Sequence, residues 1–527
     1  MNSVADFNGD GLPDVMVALF PGNSIGDFTT DTQFYINQGK GNVGGDFITL
    51  GVINYFKKSY PHVKVSFLSD KNTIKQFGEI SDIEFIEDKG KESIKELKRR
   101  RGETEKGGNI FLRFPGSPIL RFVLFCIVLL ESHTVYSAEN ISFGNPFGIS
   151  HPDKKVSPSA MAVYGEKIYV SYIREEGDVY LTVLSAEGKT LMTPVKVNDS
   201  ATPANGIHQS PGMALGPNGE VYLTWVSPKE GGEFAADIRF TGSMDGGKTF
   251  LPSVVINDNL TPGSRGFESI AVAKDGAIYI SWLDSREKPA TAGNKQGQGK
   301  NGSSSAYFTR SLDGGKTFEK NIKLDDNACP CCRTAIAAGP AGRVYVSWRK
   351  VFEGDVRDMV VTASSDNGRA FDTPVAVSRD QWVFQGCPHR GPSMAVDGNG
   401  ILYYTWYTEG NDGFPAVYFS TSTDNGKTFA ARQALPVSNR VFPDHSRLSV
   451  SKDGTAYIVW EEKTPVLSKI LFASYKAGNG FSKTEQLSQG VRRSYEPTVV
   501  VDDSGSVFTG WAHDEIRFAK IMIRVRK

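Results

Sequence analysis

The chain has 527 residues, with 59 Lys plus Arg against 59 Asp plus Glu, so its formal charge is zero. That length exceeds what one ordinary core occupies unless the architecture repeats, and the even balance of charge gives no footing to a nucleic-acid partner. Gly, Tyr, Phe, Trp, Val, Ser and Thr recur between Asn-Gly, Asp-Gly and Pro punctuation, the vocabulary of short strands and tight turns, so an all-β body is expected.

Residues 1–50 contain "DFNGDGLPD", which sets Asp6, Asn8, Asp10 and Asp14 around Gly11. Alternating oxygen ligands on a sharply turned loop suit Ca²⁺; the competing reading is a solvated acidic turn. This stretch, with "FYINQGKGN" at 34–42, resembles a fragment of an FG-GAP-type repeat. One such repeat cannot bury its own faces. Residues 51–110 alternate apolar strands such as "VKVSFLSD" with charged helix-like segments such as "KESIKELKRRR". That is the pattern of a small α/β extension; it faintly resembles the start of a heptosyltransferase-type glycosyltransferase, but has no donor-binding motif.

Residues 111–138 read as a signal peptide. Arg113 and Arg121 precede the apolar run Phe122–Leu130, and small residues follow at Ser137 and Ala138. The run is too short to cross a bilayer, which takes about 20 apolar residues, so export with no transmembrane anchor after cleavage is expected. No Met lies between Met16 and Met161; the expectation is that residues 1 to about 110 are upstream material joined to an exported protein.

From residue 139 onward the chain repeats. "IYVSY" at 168–172 returns as "VYLTW" at 221–225, "IYISW" at 278–282, "VYVSW" at 344–348, "LYYTW" at 402–406, "AYIVW" at 456–460 and "VFTGW" at 507–511. The spacing is that of four-stranded propeller blades, and the count of anchors predicts seven. A second phrase falls between the third and fourth strands of four units: "SMDGGKTF" at 243–250, "SLDGGKTF" at 311–318, "SSDNGRAF" at 364–371 and "STDNGKTF" at 422–429. Here Asp245, Asp313, Asp366 and Asp424 can accept backbone N–H bonds across a turn, a following Gly allows positive φ, and the closing Phe can pack between blades.

This phrase resembles the Asp box, or BNR repeat, of the sialidase superfamily. The resemblance implies a β-propeller over 139–527, although sialidases themselves have six blades. "SFGNPFGIS" at 142–150 matches "FDTPVAVS" at 371–378, so the first strand is expected to complete the last blade.

Chemistry is expected where the inner strands begin. Those starts read "HQSPG" at 208–212, "RGFES" at 265–269, "CPCCRT" at 329–334, "CPHRGP" at 387–392, "DHSR" at 444–447 and "SYEPT" at 494–498, unusually rich in ionisable residues. Arg333, Arg390 and Arg447 can converge on a carboxylate or sulfate through charge-assisted bonds, with His445 beside them. The sialidase resemblance implies an exo-α-sialidase-like glycoside hydrolase in which Tyr495 is the nucleophile, with Glu268 or Glu496 polarising it. The pattern departs from the family in lacking an Arg-Ile-Pro-type motif and an assignable early acid/base Asp.

Cys329, Cys331, Cys332, Cys387 and His389 share a register in adjacent blades. They read either as disulfides, with Cys329 to Cys387 the first choice, or as a soft-metal site for Cu or Zn. The insertion 285–305, rich in Gly, Lys and Asn, reads as a lid over the cup or a solvated loop. The functional expectation is an exported, glycan-directed propeller binding an acidic ligand. The alternative is a non-catalytic propeller binding a soft metal or a protein partner.

Overall fold

The computed structural model of the chain divides into two compact units, 1–142 and 143–527. It describes residues 143–527 apart from 150–158, 175–176, 206–209, 233, 288–303, 387, 411–412, 438–440, 465–466, 491 and 516–518, together with four short strands of the first unit. Those four pair in parallel, Met16–Ala18 with Tyr35–Asn37 and Val65–Ser69 with Ile83–Glu87. The proposed Ca²⁺ loop (Asp6, Asn8, Asp10, Asp14), the signal-like segment and most of the insertion lie outside the described residues.

The second unit is an all-β propeller. Its one helical element among the described residues is a 3-10 turn at Glu353–Asp355, and no helix there is long and apolar enough to cross a membrane. Each unit of the repeat is an antiparallel meander that starts on an inner strand. These inner strands are Ala160–Tyr164, Gly212–Leu215, Arg265–Val272, Ala335–Ala338, Ser393–Val396, Phe442–Val450 and Ser494–Val501. Each touches the next, and the last touches the first, so the ring closes.

The division into sheets departs from the expected seven separate blades. Five sheets of four or five strands stand alone, and a sixth has eight strands. The physical reason is one bridge, Ala328 to Lys350, through which Ile322–Ala328 continues pairing into Val344–Val351 and makes the third and fourth repeats one hydrogen-bonded sheet. Ring closure is made by the expected segment, since Phe147–Ile149 pairs antiparallel with Ala519–Arg526.

The anchor strands form because their β-branched and aromatic residues are buried on both faces. Every residue of Ile278–Asp284 is buried, and Trp225, Trp282, Trp348, Trp406 and Trp460 are wholly inaccessible. The core is therefore a set of layers between neighbouring meanders. In one layer Tyr279 and Phe308 of the third repeat pack with Val346 and Trp348 of the fourth.

The repeated phrase forms one turn four times. In the second copy the Ser311 hydroxyl donates to Asp313 Oδ1 at 2.8 Å and accepts from Gly315 N at 2.9 Å. Asp313 also accepts from Thr317 N at 3.0 Å and Thr317 Oγ1 at 2.6 Å. These hydrogen bonds hold the Asp313 carboxyl down at about 2. The closing Phe318 and Phe371 meet Phe240 and Phe308 of the preceding meanders edge-on, each at 4.8 Å. The turn is thus a structural latch. It sits at the far end of the strands from the inner-strand starts, because Ser311 pairs with Ile278 and Ile278 with Val272, whereas Arg265 pairs with Asp284.

Gly315 is required twice over. Its φ is +84°, and an added Cβ would stand 2.4 Å from Phe240. Gly315→Ala is expected to cost about 1–3 kcal/mol from strain and overpacking. Denaturant unfolding checks this; an unchanged midpoint would refute the latch role.

Candidate functional site

A cavity of about 200 Å³ opens at the inner-strand starts, lined by Ser210, Phe267, Arg333, Pro388, His389, Arg390, Gly391, Tyr407, His445, Ser446, Arg447 and Glu496. The lining follows from register. Gly212, Ser269, Ala335, Ser393, Arg447 and Thr498 each pair with the residue just before an anchor aromatic. Ser210, Phe267, Arg333, Gly391, His445 and Glu496 stand two residues earlier in the chain.

Three of these strands are bulged at this point, between Gly266 and Ser269, Asp444 and Arg447, and Tyr495 and Thr498. The residue inside each bulge is left-handed without being glycine: Phe267 (φ 57°), His445 (φ 42°) and Glu496 (φ 47°). Such conformations cost on the order of 1–3 kcal/mol each and persist where surrounding structure enforces them. A bulge re-aims one side chain, and here the three left-handed residues are all in the cavity lining.

All three predicted arginines line this cavity, in different electrostatic states. Arg390 is matched: Nε and Nη2 reach the two Asp444 oxygens at 2.7 and 2.9 Å, and its guanidinium lies 4.4 Å from the Tyr407 ring centre. Burial works against its charge, but Asp444 outweighs that and raises its pKa. Arg333 donates to two backbone carbonyls, Glu268 O at 2.8 Å and Ser210 O at 2.9 Å. Arg447 donates to Ser446 O at 3.2 Å. Among the described residues, neither Arg333 nor Arg447 has a carboxylate at ion-pair distance. Burial first, then the Arg333 charge, pull the Arg447 pKa down to about 10, against the longer-range pull of Glu496. Arg447 is thus a half-buried cation in the cavity lining.

Asp444 is a junction. Its carboxylate is held by Arg390, by Lys463 at 2.8 Å and by the His445 backbone N–H at 2.8 Å. Burial opposes its charge, yet His445, Arg390 and Lys463 together hold it well below the usual carboxylate range. His445 bonds through Nδ1 to Glu461 Oε2 at 2.9 Å. Glu461 is wholly buried and its Oε1 has no hydrogen-bond partner.

The residues suggested for catalysis separate. Glu496 is in the cavity lining. Tyr495 is outside it, beside Asp514; burial, then Asp514 and Glu496, push its hydroxyl up to about 12. Glu268 is also outside the lining, wholly buried, with neither carboxyl oxygen hydrogen-bonded, while the Thr224 hydroxyl faces it without closing a normal bond. Burial raises its pKa, with Arg333 opposing.

Cys329, Cys331 and Cys332 gather their sulfurs within 4.8 Å of one another, all buried. Cys329 Sγ is 3.7 Å from Cys331 Sγ, 3.6 Å from Cys332 Sγ, and accepts from Arg357 Nη1 at 3.0 Å. Hydrogen bonds from the other two thiols lower the Cys329 pKa, against burial and with help from Arg357 and Arg349; burial pushes Cys332 up to about 12. His389 is not in this group; its ring is tilted 6.2 Å from Phe267, which itself packs on the cysteines. Cys387, and with it the pairing to Cys329, lies outside the described residues.

Sequence reasoning missed Glu461, Tyr407 and Lys463. The available signal was a run of charge just after an apolar anchor: "WEEK" follows "AYIV", and Glu461 pairs across the sheet with Asp444.

No known family model matches the sequence, and no curated protein matches it. Among solved structures, neighbours include sialidases and polysaccharide lyases. The Hadza microbial sialidase Hz136 is 15% identical, with 68% of this chain and 76% of that one covered and a TM-score of 0.41. The NanB sialidase of Streptococcus pneumoniae is 10% identical, with 73% and 98% covered and a TM-score of 0.40. Polysaccharide lyase Uly1 is 11% identical, with 76% and 95% covered and a TM-score of 0.45. The propeller assignment rests on the strand pairing itself.

Glu268 makes stability depend on pH with a definite sign. Its folded pKa lies above the ordinary value of 4.5, so the folded chain binds more protons than the unfolded one as pH rises past that value, and stability falls. Glu268→Gln is expected to match the parent near pH 4 and to melt about 2–4 °C higher at pH 8. Thermal melts across that range check it; a variant less stable at pH 8 would show that the ionised carboxylate stabilises the fold.

Proposed function

We propose that the cavity binds an acidic sugar unit of a glycan, with the sugar's carboxylate between Arg333 and Arg447. The observation that carries this reading is the pair of cations without a carboxylate partner in ion-pair contact, one of which depresses the pKa of the other. An anion between them removes that repulsion and supplies charge-assisted hydrogen bonds. The Phe267 ring in the same lining offers an apolar face for a pyranose. Export follows in this reading from the Arg113, Phe122–Leu130, Ala138 order.

The hydrolytic form of the proposal is exo-α-sialidase-like. Tyr495 lies next to the cavity residue Glu496 and has the carboxylate of Asp514 beside it, so as nucleophile it must turn toward the cavity, with Asp514 as its base. Glu496, the next residue, faces the cavity, and the His445–Glu461 pair supplies a positioned imidazole for proton transfer.

Calorimetric titration with N-acetylneuraminic acid, glucuronic acid and N-acetylglucosamine tests binding. The acids are expected to bind and the neutral sugar not, and Arg447→Met to weaken the acids by about 10–100-fold, the loss of one charge-assisted contact. Equal binding of the neutral sugar would overturn the reading. Turnover of a fluorogenic sialoside tests the hydrolytic form; Tyr495→Phe should abolish it while leaving affinity for the acid intact.

A further inference from the structure

Behind Phe267, away from the ligand groups of the cavity, the fold holds a charge problem of a different kind. Arg349 and Arg357 are buried, 1% and 5% exposed. Arg357 directs Nε to Phe384 O and Nη1 to Cys329 Sγ. Arg349 directs Nη1 to Arg357 O and Nη2 to Tyr407 O, and its Nε has no hydrogen-bond partner. No carboxylate among the described residues stands at ion-pair distance from either. Asp358 acts on Arg349 at longer range, but it is itself occupied by the backbone N–H groups of Gln381 and Trp382, and burial raises its pKa. Two buried guanidiniums without carboxylate partners are costly unless another anion is close.

The nearest candidates for that anion are the three thiols. Cys329 N donates to Arg349 O at 2.8 Å and Cys332 N to Cys329 O at 3.4 Å, so one tight turn turns all three sulfurs inward. Their separations of 3.6 and 3.7 Å from Cys329 are close to the roughly 3.8–4.0 Å that sulfurs must keep around a shared metal with bonds of about 2.3 Å. Cys329 is placed almost equally from both neighbours, a geometry with no preferred pair, and a disulfide would leave the third thiol over.

We propose that Cys329, Cys331 and Cys332 supply three thiolates to a site for a single Cu(I) ion, with Arg349 and Arg357 as its counter-charges. Three thiolates and a monovalent ion carry a net charge of minus two, which two guanidiniums cancel. A divalent ion would leave an unbalanced positive charge in a buried place. Soft thiolate donors favour Cu(I). Loading releases each thiol proton still bound as the thiolates take up the ion; no electron is transferred. The proposal is independent of the sugar-binding reading, since none of its ligands is in the cavity lining.

The test is titration of the reduced, full-length chain with Cu(I) under anaerobic conditions against a chromophoric Cu(I) chelator, with X-ray absorption on the loaded protein. About one Cu(I) per chain is expected, held by sulfur only. Cys331→Ser and Cys329→Ser should each lose more than about a hundredfold in affinity, and Arg357→Met about 10–100-fold, as for an outer partner of a metal ligand. Circular dichroism shows which variants are folded, and Cys331→Ser alone suffices if Cys329→Ser is not. Copper uptake unchanged in the folded cysteine variant, zinc retained against equimolar Cu(I), or a disulfide among the three residues in the native protein would each overturn the assignment.

Discussion

The Arg333 guanidinium is the group on which the cup depends. It reaches back one repeat to Glu268 O and two repeats to Ser210 O, so a single side chain fixes the spacing of three inner-strand starts. On its other side Gly391 lies so close that an added Cβ would stand 2.2 Å from the Arg333 carbonyl oxygen. A guanidinium spent on carbonyls keeps its charge, because carbonyls satisfy its donors without neutralising it. The positive field of the cup is therefore a consequence of how the ring is tied together.

The remaining polar groups sort around that fixed charge. Arg390 is neutralised by Asp444 and stacked on Tyr407, which makes it a wall of the cavity. Arg447 has no such partner and meets Arg333 across the cavity. Four of the cavity-lining residues, Phe267, His389, His445 and Glu496, hold left-handed backbone without being glycine. Strained non-glycine residues gathered in one lining are consistent with a shaped site. The latch turns at the opposite end of the strands show the contrary pattern, with every strained position given to glycine, as at Gly315 and Gly247, or to an Asn such as Asn367.

The cysteine turn shows how one aromatic ring separates two chemistries. Phe267 lines the cavity on one side and packs on Cys329, Cys331 and Cys332 on the other. Hard oxygen acceptors and donors of the cup thus stay apart from soft sulfur. Around the cup Asp444 and Glu461 meet Arg390, Lys463 and His445, and on the other side of the ring Arg357 meets the Cys329 sulfur.

The all-β class, the recurrence of the meander, the latch turns and the closing role of the "SFGNPFGIS" segment were legible in the sequence, because strand pairing and turn chemistry are local and the repeat prints them several times over. The convergence of Arg333, Arg390 and Arg447 was legible for the same reason: equal register in successive repeats must bring side chains to one axis. Whether the repeats stand as separate sheets was decided by one tertiary bridge, Ala328 to Lys350, which no local pattern encodes. The charge state of each arginine was likewise decided only in three dimensions. Asp444 matches Arg390 from 54 residues away and Glu461 reaches His445 across a strand pair, whereas Tyr495 and Glu268, next to cup residues in sequence, are carried out of the cup by the alternation of a bulged strand. A sequence lists the ionisable groups and their register; which of them are paired, buried or left facing a cavity is set by distances that exist only once the ring has closed.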